Sequence, residues 1–243
     1  MSFRRGAPRG SSTDGGEESY LASVSDLMSG LLFFFIITLV IFAISLKHKE
    51  SDYQDALQRS KLARKEMLLA LQATLARDNL IVTINQEQGV LRLGNQLLFD
   101  SASDSLTAVT RHNLLLVASA LDTVLPRYVR PGALAQLEAV FIEGHTDSIP
   151  ISTPRFVDNL TLSTARARQV YLSVMDARPR LKTLHNSDGV FLFSASGYGD
   201  RVPINDNSTE DNRRSNRRID LRFIMASRLP APGIAVQRAV APQ

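Results

Sequence analysis

The distribution of apolar and polar residues divides the chain into a membrane-type segment, a charged helical segment and a globular domain. An uncharged apolar run, LMSGLLFFFIITLVIFAISL, occupies 20 residues from Leu27 to Leu46. At about 1.5 Å per helical residue this run covers roughly 30 Å, the thickness of a bilayer's hydrocarbon core. The run is longer than the apolar core of a signal peptide, and FAISLKHK is a poor cleavage site. The pattern therefore predicts one retained transmembrane helix over residues 19–46.

The segment after the apolar run is charged and contains no proline or glycine from Lys47 to Asp78. Its apolar residues recur at a helical spacing, which predicts an amphipathic linker helix over residues 47–79. These residues are Leu57, Leu62, Met67, Leu68, Leu71 and Leu75. The heptad is imperfect, because Arg64 falls in register with Leu57 and Leu71. The stripe fits either self-association or a solvated helical spacer.

Strand and helix patterns alternate over residues 80–225 and predict an α+β sandwich with a mixed sheet. LIVTINQEQGVLRL reads as a hairpin around a Gln-Glu-Gln-Gly turn. A helix follows, capped by acidic and serine residues and ending before Pro126. The remaining predicted elements are strand 137–144, helix 159–177, strand 190–196 and strand 218–225. The flanking residues, 1–18 and 226–243, lack periodicity and are predicted to be flexible tails.

Composition excludes several classes of chemistry. The chain has no cysteine, which rules out disulfides, thiol nucleophiles, cysteine-bound metals and an acylated cysteine anchor. Its histidines have no metal-ligand spacing, and we predict neither a metal nor a cofactor; they are His48, His112, His145 and His185. The formal charge of +4 comes from basic residues spread along the chain. By itself it does not choose between nucleic acid, lipid and an acidic polymer.

Polar residues at the exit of the predicted strand 137–144 are candidates for ligand binding. His145, Thr146 and Asp147 follow this strand directly, where a loop exposes side chains that the strand holds in place. Arg166 lies in the first half of the next predicted helix. A carboxylate can bind an ammonium and a guanidinium can bind a carboxylate, so Asp147 and Arg166 could recognise a zwitterionic amino-acid end. An ordinary salt bridge between strand and helix is the alternative.

Other reactive arrangements are weak in this sequence. A triad of Ser163, His145 and Asp147 lacks a Gly-x-Ser-x-Gly elbow, and we predict no enzyme. The basic cluster Arg213, Arg214, Arg217 and Arg218 could bind phosphates. We interpret it as a cap on the last strand and predict no direct contact with nucleic acid.

Asp26 stands at the mouth of the apolar run. Ionisable groups in such positions tend to face a protein interior and to mark proton or ion pathways. Alternatively, Asp26 caps the helix beside Ser25 and interacts favourably with the helix dipole.

Four stretches, FIEGHTDSIPI, NLTLSTARARQV, SASGYGDRVPI and NRRSNRRIDLRFI, resemble the OmpA-like peptidoglycan-binding domain in family order over residues 80–225. The resemblance implies that Asp147 binds the side-chain ammonium of meso-diaminopimelate in the peptide stem, and Arg166 its carboxylate. It implies that Thr146, Asn159 and Leu162 line the pocket and that Arg217 shapes its rim. Gly197 and Gly199 fit a tight turn with positive φ. The loop from 148 to 158 is longer than in short family members.

SYLASVSDLMSGLLFFFIITLVI is similar to the transmembrane helix of MotB-type stator subunits. This similarity implies that Asp26 carries protons, and that two copies of the chain, a self-dimer, lie inside five multi-span MotA-like partners. The span, the basic leader and the charged helix look closer to ZorB, of the Zorya anti-phage defence system, than to flagellar MotB. That likeness implies a signal passed to cytoplasmic defence effectors.

These resemblances place the chain in a bacterial inner membrane, with a cytoplasmic N-terminus and a periplasmic C-terminal domain. Charge counting points weakly the other way, because Lys47, Lys49, Arg59 and Lys61 follow the span. We follow the location of peptidoglycan rather than the charge count. A flagellar MotB-type stator, a non-conducting OmpA-like wall anchor and an envelope sensor remain alternatives.

Overall fold

The computed structural model describes residues 14–94, 99, 103–130, 133 and 135–226. The chain divides into two compact units after Asp52. Helix α1, Asp14–Arg77, contains the whole apolar run. It is the one described helix that is long and apolar enough to cross a membrane, judged by length and composition. In the first unit its apolar side chains are uncovered, and Phe33, Phe34 and Phe35 are 64%, 65% and 67% exposed.

The predicted tails lie mostly outside the described residues. Residues 1–13 and 227–243 are not described, so the two tail predictions are not tested there. Helix α1 already begins at Asp14. The end of the predicted N-terminal tail is therefore helical.

The second unit is built on a mixed sheet of five strands within the described residues, in the order β1-β2-β5-β3-β4. Strands β3 and β4 are parallel and the other neighbours are antiparallel. The strands are β1 Thr83–Asn85, β2 Val90–Gly94, β3 Leu137–His145, β4 Phe193–Gly197 and β5 Arg218–Met225. The helices are α2 Ala108–Val124, α3 Pro126–Val129, α4 Asn159–Ala177 and α5 Glu210–Asn216, with a 3₁₀ turn at Pro179–Thr183. The α+β prediction with a mixed sheet is confirmed.

Individual elements agree with the sequence pattern to different degrees. Helix α4 and strand β5 have the predicted bounds. Strand β4 starts three residues later than predicted, at Phe193. Thr107, rather than an acidic or serine residue, caps α2 by accepting a hydrogen bond from the Thr110 amide. Helix α5 was missed because its sequence, EDNRRSN, has no apolar side to reveal it.

The C-terminal part of α1 belongs to the core of the second unit. Met67, Leu68, Leu71 and Leu75 are buried in the same cluster as strand residues such as Leu91. The Ser60 hydroxyl also donates to the Ala226 carbonyl at 2.7 Å. The C-terminal part of the stripe, Met67 to Leu75, therefore packs against its own domain, whereas Leu62 is exposed and Leu57 is half-buried.

The two faces of the sheet differ in chemistry because neighbouring residues on a strand point to opposite sides. One face carries the apolar residues that pack against the helices, such as Leu91, Leu221 and Ile142. The other face carries a charged ladder. Arg92 and Arg218 pair with Asp220 at 2.8 and 3.0 Å, and Arg222 pairs with Glu143 at 2.8 Å. Burying these carboxylates is tolerable because each is ion-paired.

His145 lies within this charged ladder as a neutral ring. It stacks on Tyr198 with ring centroids 5.2 Å apart, and neither ring nitrogen has a hydrogen-bond partner among the described residues. Burial, reinforced by Arg218, Arg92 and Arg222 and opposed by Asp220, lowers the pKa of His145 to about 4. The 3.9 Å approach of its Nε2 to Asp220 is therefore not an ion pair at neutral pH.

Gly144 allows α4 to pack closely on β3. A Cβ at this position would lie 2.1 Å from the Ser163 carbonyl oxygen. Backbone atoms cannot move aside as a flexible side chain can. Gly144 therefore sets the distance between the exit of β3 and the start of α4.

We expect Gly144→Ala to destabilise the domain by about 3 kcal/mol or more, because the added methyl group would overpack against backbone. Thermal unfolding of the purified chain measures the effect. Gly94→Ala is the matched control, since no atom of the described residues lies within 4 Å of a Cβ there. Equal stability of the two variants would contradict this account.

We expect folding stability to fall as pH decreases from 6.5, the ordinary histidine value, towards the folded-state pKa of His145 of about 4. The sign follows because the unfolded chain binds a proton in this window that the folded chain does not. The histidine contribution is about 3 kcal/mol when fully developed. Denaturant unfolding at a series of pH values should show a flatter acid limb for His145→Phe than for wild type. His185→Gln serves as control, and identical slopes for His145→Phe and wild type would refute the assignment.

Candidate functional site

A pocket of about 200 Å³ opens where β3 exits the sheet beside the start of α4. The six residues predicted to bind peptidoglycan all line it: Thr146, Asp147, Asn159, Leu162, Arg166 and Arg217. Ile149, Pro150 and Ile151 supply an apolar wall. The pocket therefore combines one carboxylate and two guanidinium groups with apolar surface.

Asp147 is held from two sides. Its Oδ1 accepts the Ile149 amide at 3.1 Å, and its Oδ2 accepts Arg217 Nη1 at 2.5 Å. Arg217 also donates from Nη2 to Glu210 Oε1 at 2.6 Å. Arg217, expected only to shape the rim, is thus the direct ion-pair partner of Asp147.

Arg166 is anchored separately from Asp147. Its Nε donates to the Ser103 carbonyl at 2.8 Å, and its guanidinium lies 5.2 Å from the centre of the Phe99 ring. Burial, followed by repulsion from Arg217, lowers the pKa of Arg166 to about 10. The side chain therefore remains a cation at neutral pH, with its direction set by backbone and aromatic contacts.

Thr146 and Asn159 complete the polar part of the pocket. The Thr146 hydroxyl is buried and has no hydrogen-bond partner among the described residues, while the Thr146 amide donates to the Gly199 carbonyl. Asn159 donates to the carbonyls of Asp147 and Ile149 at 3.2 and 3.0 Å. Asn159 therefore holds the loop in place, and Thr146 contributes to the pocket wall.

The glycines after β3 and β4 position α4 in different ways. Gly199 has a positive φ of 59°, as expected for the turn. Gly197 does not have a positive φ, so the prediction of a positive φ at Gly197 is wrong. A Cβ at Gly197 would instead lie 2.4 Å from the Thr164 amide nitrogen. Ser163 completes the contact by accepting the Gly199 amide at 2.9 Å and donating to Leu160.

The longer loop from 148 to 158 is attached to the rest of the domain. Arg155 pairs with the buried Asp104 at 2.7 Å, and Phe156 is buried. Asp104 adjoins Ser103, the residue that holds Arg166. The extra loop length therefore supports the side of the pocket where Arg166 is anchored.

Some functional contacts were not predicted from sequence. Glu210 contacts Arg217 from α5. Asn216, fully buried, accepts the amides of Ile204 and Asn205 and donates to Asn207, whose side chain accepts the Ser148 amide. The motif NRRSNRR could have pointed to Asn216, but no local pattern pointed to Glu210.

The hypothetical triad of Ser163, His145 and Asp147 does not form. Ser163 bonds to backbone groups, and the His145 nitrogens have no hydrogen-bond partner in the described part of the chain. Nor do the described residues include a group of three or more side chains suited to a metal ion.

Asp26 lies in the first unit, within α1 and exposed. The helix begins at Asp14, about three turns earlier. Asp26 is therefore an interior helical residue, and the alternative that it caps the helix N-terminus is wrong.

Comparison with known proteins agrees with this fold. The OmpA family model matches residues 98–217. The YtxE protein of Bacillus subtilis is 31% identical over 175 residues, covering 71% of this chain and 61% of YtxE. Motility protein B of Bacillus subtilis is 33% identical over 85 residues, covering 35% of this chain and 30% of that protein.

A solved structure shows the same fold. The MotB-like protein from Desulfovibrio vulgaris aligns with a TM-score of 0.52 and 20% identity, over 70% of this chain and 98% of that one. Residues 98–217 thus match the OmpA family, part of the chain is similar in sequence to motility protein B, and the chain spans less than two thirds of the length of both relatives.

Proposed function

We propose that this chain is a peptidoglycan-anchored, proton-driven stator subunit that acts with a MotA-like partner in anti-phage defence. The observation that carries the anchoring role is the pocket. It places a carboxylate and a guanidinium, those of Asp147 and Arg166, in the lining of one small cavity. Such a set suits a ligand with an ammonium and a carboxylate on the same carbon.

The free end of meso-diaminopimelate in a peptide stem has this chemistry. Its ammonium would bind Asp147 and its carboxylate would bind Arg166, each by a charge-assisted hydrogen bond. The methylene chain would lie along the wall of Ile149 and Ile151.

We expect Asp147→Ala or Arg166→Ala to weaken binding to purified peptidoglycan by roughly 10- to 100-fold, the value of one charge-assisted hydrogen bond. A sedimentation pull-down with the full chain in detergent measures it. Arg168→Ala, an exposed arginine on the same helix, is the control of matched charge.

Because Arg166 is buried, Arg166→Lys is a second variant that keeps the charge but loses the fork geometry. Circular dichroism establishes that each variant is folded. Unchanged pull-down by folded Asp147 and Arg166 variants would refute the site.

Asp26 supports the proton-carrying role. It is an interior residue of α1 that directly precedes the apolar run, and this part of the helix is uncovered. An ionised carboxylate at the edge of a lipid-covered run is costly to desolvate, which favours a protein partner around Asp26. Each proton moved across 100 mV supplies about 2.3 kcal/mol to drive a change in those contacts.

The proposed arrangement rests on the resemblance to MotB-type stators. The chain would be a single-pass inner-membrane protein, with its N-terminus in the cytoplasm and its OmpA-family domain in the periplasm, where peptidoglycan lies. Two copies would lie inside five MotA-like subunits that step around them. The rotation would signal to cytoplasmic effectors, and this chain itself would not contact nucleic acid.

We expect Asp26→Asn to abolish proton flux in reconstituted complexes while leaving assembly intact, because asparagine cannot exchange a proton. A pH-sensitive dye inside proteoliposomes measures the flux. Thr38→Val, which removes a hydroxyl bonded to Phe34 within the same helix, should retain it. Full flux in the Asn variant would eliminate the carrier role.

Phage plaquing with the intact operon tests the defence role with the same Asp26→Asn variant at matched membrane levels. Loss of protection supports an ion-driven defence stator. Full protection favours a wall anchor or envelope sensor. If the wild type gives no protection, the defence assignment falls, and rescue of swimming in a non-motile host tests the flagellar alternative.

A further inference from the structure

Glu210 lies outside the pocket lining but is connected to it through one side chain. Its Oε1 accepts Arg217 Nη2 at 2.6 Å, and its Oε2 accepts Arg213 Nε at 3.1 Å. Arg217 in turn donates to Asp147 Oδ2 at 2.5 Å. The side chains of Glu210, Arg217 and Asp147 are 51%, 19% and 9% exposed. The three side chains therefore form a row of ion pairs from the surface into the pocket.

Arg217 and a ligand ammonium compete for the Asp147 carboxylate. Arg217 already occupies one oxygen of the carboxylate that a ligand ammonium would need. Arg217 divides its guanidinium between two carboxylates, with one nitrogen on Asp147 and the other on Glu210. Glu210 therefore offsets part of the positive charge that would otherwise repel an incoming ammonium.

We propose that Glu210 is a positioning residue that sets the specificity of the pocket, by holding Arg217 so that Asp147 can accept the ammonium of a zwitterionic ligand. This inference rests on the proposed function, in which Asp147 binds that ammonium. Glu210 thus favours ligands that carry an ammonium without contacting the ligand itself.

The arrangement of the two arginines gives the direction of the effect. Arg166 and Arg217 both line the pocket. The two guanidinium groups are close enough that Arg217 lowers the pKa of Arg166. Loss of the Glu210 charge leaves this pair of cations less compensated. Ligands with an ammonium then bind more weakly, whereas ligands with only a carboxylate bind as well as before or better.

Two tripeptides separate these effects in binding titrations with the full chain in detergent. One is L-Ala-γ-D-Glu-meso-diaminopimelate, and the other carries 2-aminopimelate, which keeps the distal carboxylate but lacks the distal ammonium. For Glu210→Gln we expect the ratio of affinities, diaminopimelate over aminopimelate, to fall by about two- to fivefold, the range for a partly exposed ion pair.

Asp211→Asn is the matched control. Asp211 is the next residue of α5, its side chain is 89% exposed, and it pairs with Arg214 rather than Arg217. It removes the same charge from the same helical turn, so its affinity ratio should equal that of wild type.

The outcomes are distinct. A lower ratio for Glu210→Gln alone supports the inference. An unchanged ratio, equal weakening of both peptides, or the same fall in Asp211→Asn overturns it while leaving the proposed function standing. If wild type binds neither peptide, the proposed ligand and this inference fall together.

Discussion

The close approach of α4 to strands β3 and β4 is the contact on which the candidate site depends. At Gly144 and Gly197 the helix start lies so near the strands that a methyl group would collide with backbone. That approach brings Arg166, near the helix start, to the same cavity as Asp147, at the strand exit. Since neither side chain bonds to the other in the described contacts, packing rather than ion pairing brings the two charges together.

Charge pairing then determines what the cavity can accept. Asp147 is paired with Arg217, and Arg166 is oriented by the Ser103 carbonyl and the Phe99 ring. Buried charges with fixed partners keep their direction in the absence of ligand, which lowers the ordering cost of binding. The Thr146 hydroxyl is the exception, because it is buried without a hydrogen-bond partner among the described residues.

Local sequence predicted the elements but not the partners of the charged residues. The bounds of α4 and, to within one residue, the end of β3 follow from apolar periodicity, which is a property of neighbouring residues. The pairing of Asp147 with Arg217 joins residues 70 positions apart, and it depends on the register of β5 beside β3. Gly197 was assigned a positive φ because glycine permits one, yet its role is the close contact with Thr164. A glycine in a sequence does not reveal which of these two needs it serves.

The amphipathic stripe of α1 shows the same ambiguity with a larger consequence. A stripe with this spacing could face a second copy, solvent or the domain itself, because the helical pattern in the sequence is the same in all three cases. Met67, Leu68, Leu71 and Leu75 are buried in the domain's own core, so they are not available to join two copies. A pair of chains inside a ring of partners would therefore be held together by residues other than these four. The uncovered apolar residues around Phe34 require lipid or protein to cover them, and they are the part of α1 that such an assembly could use.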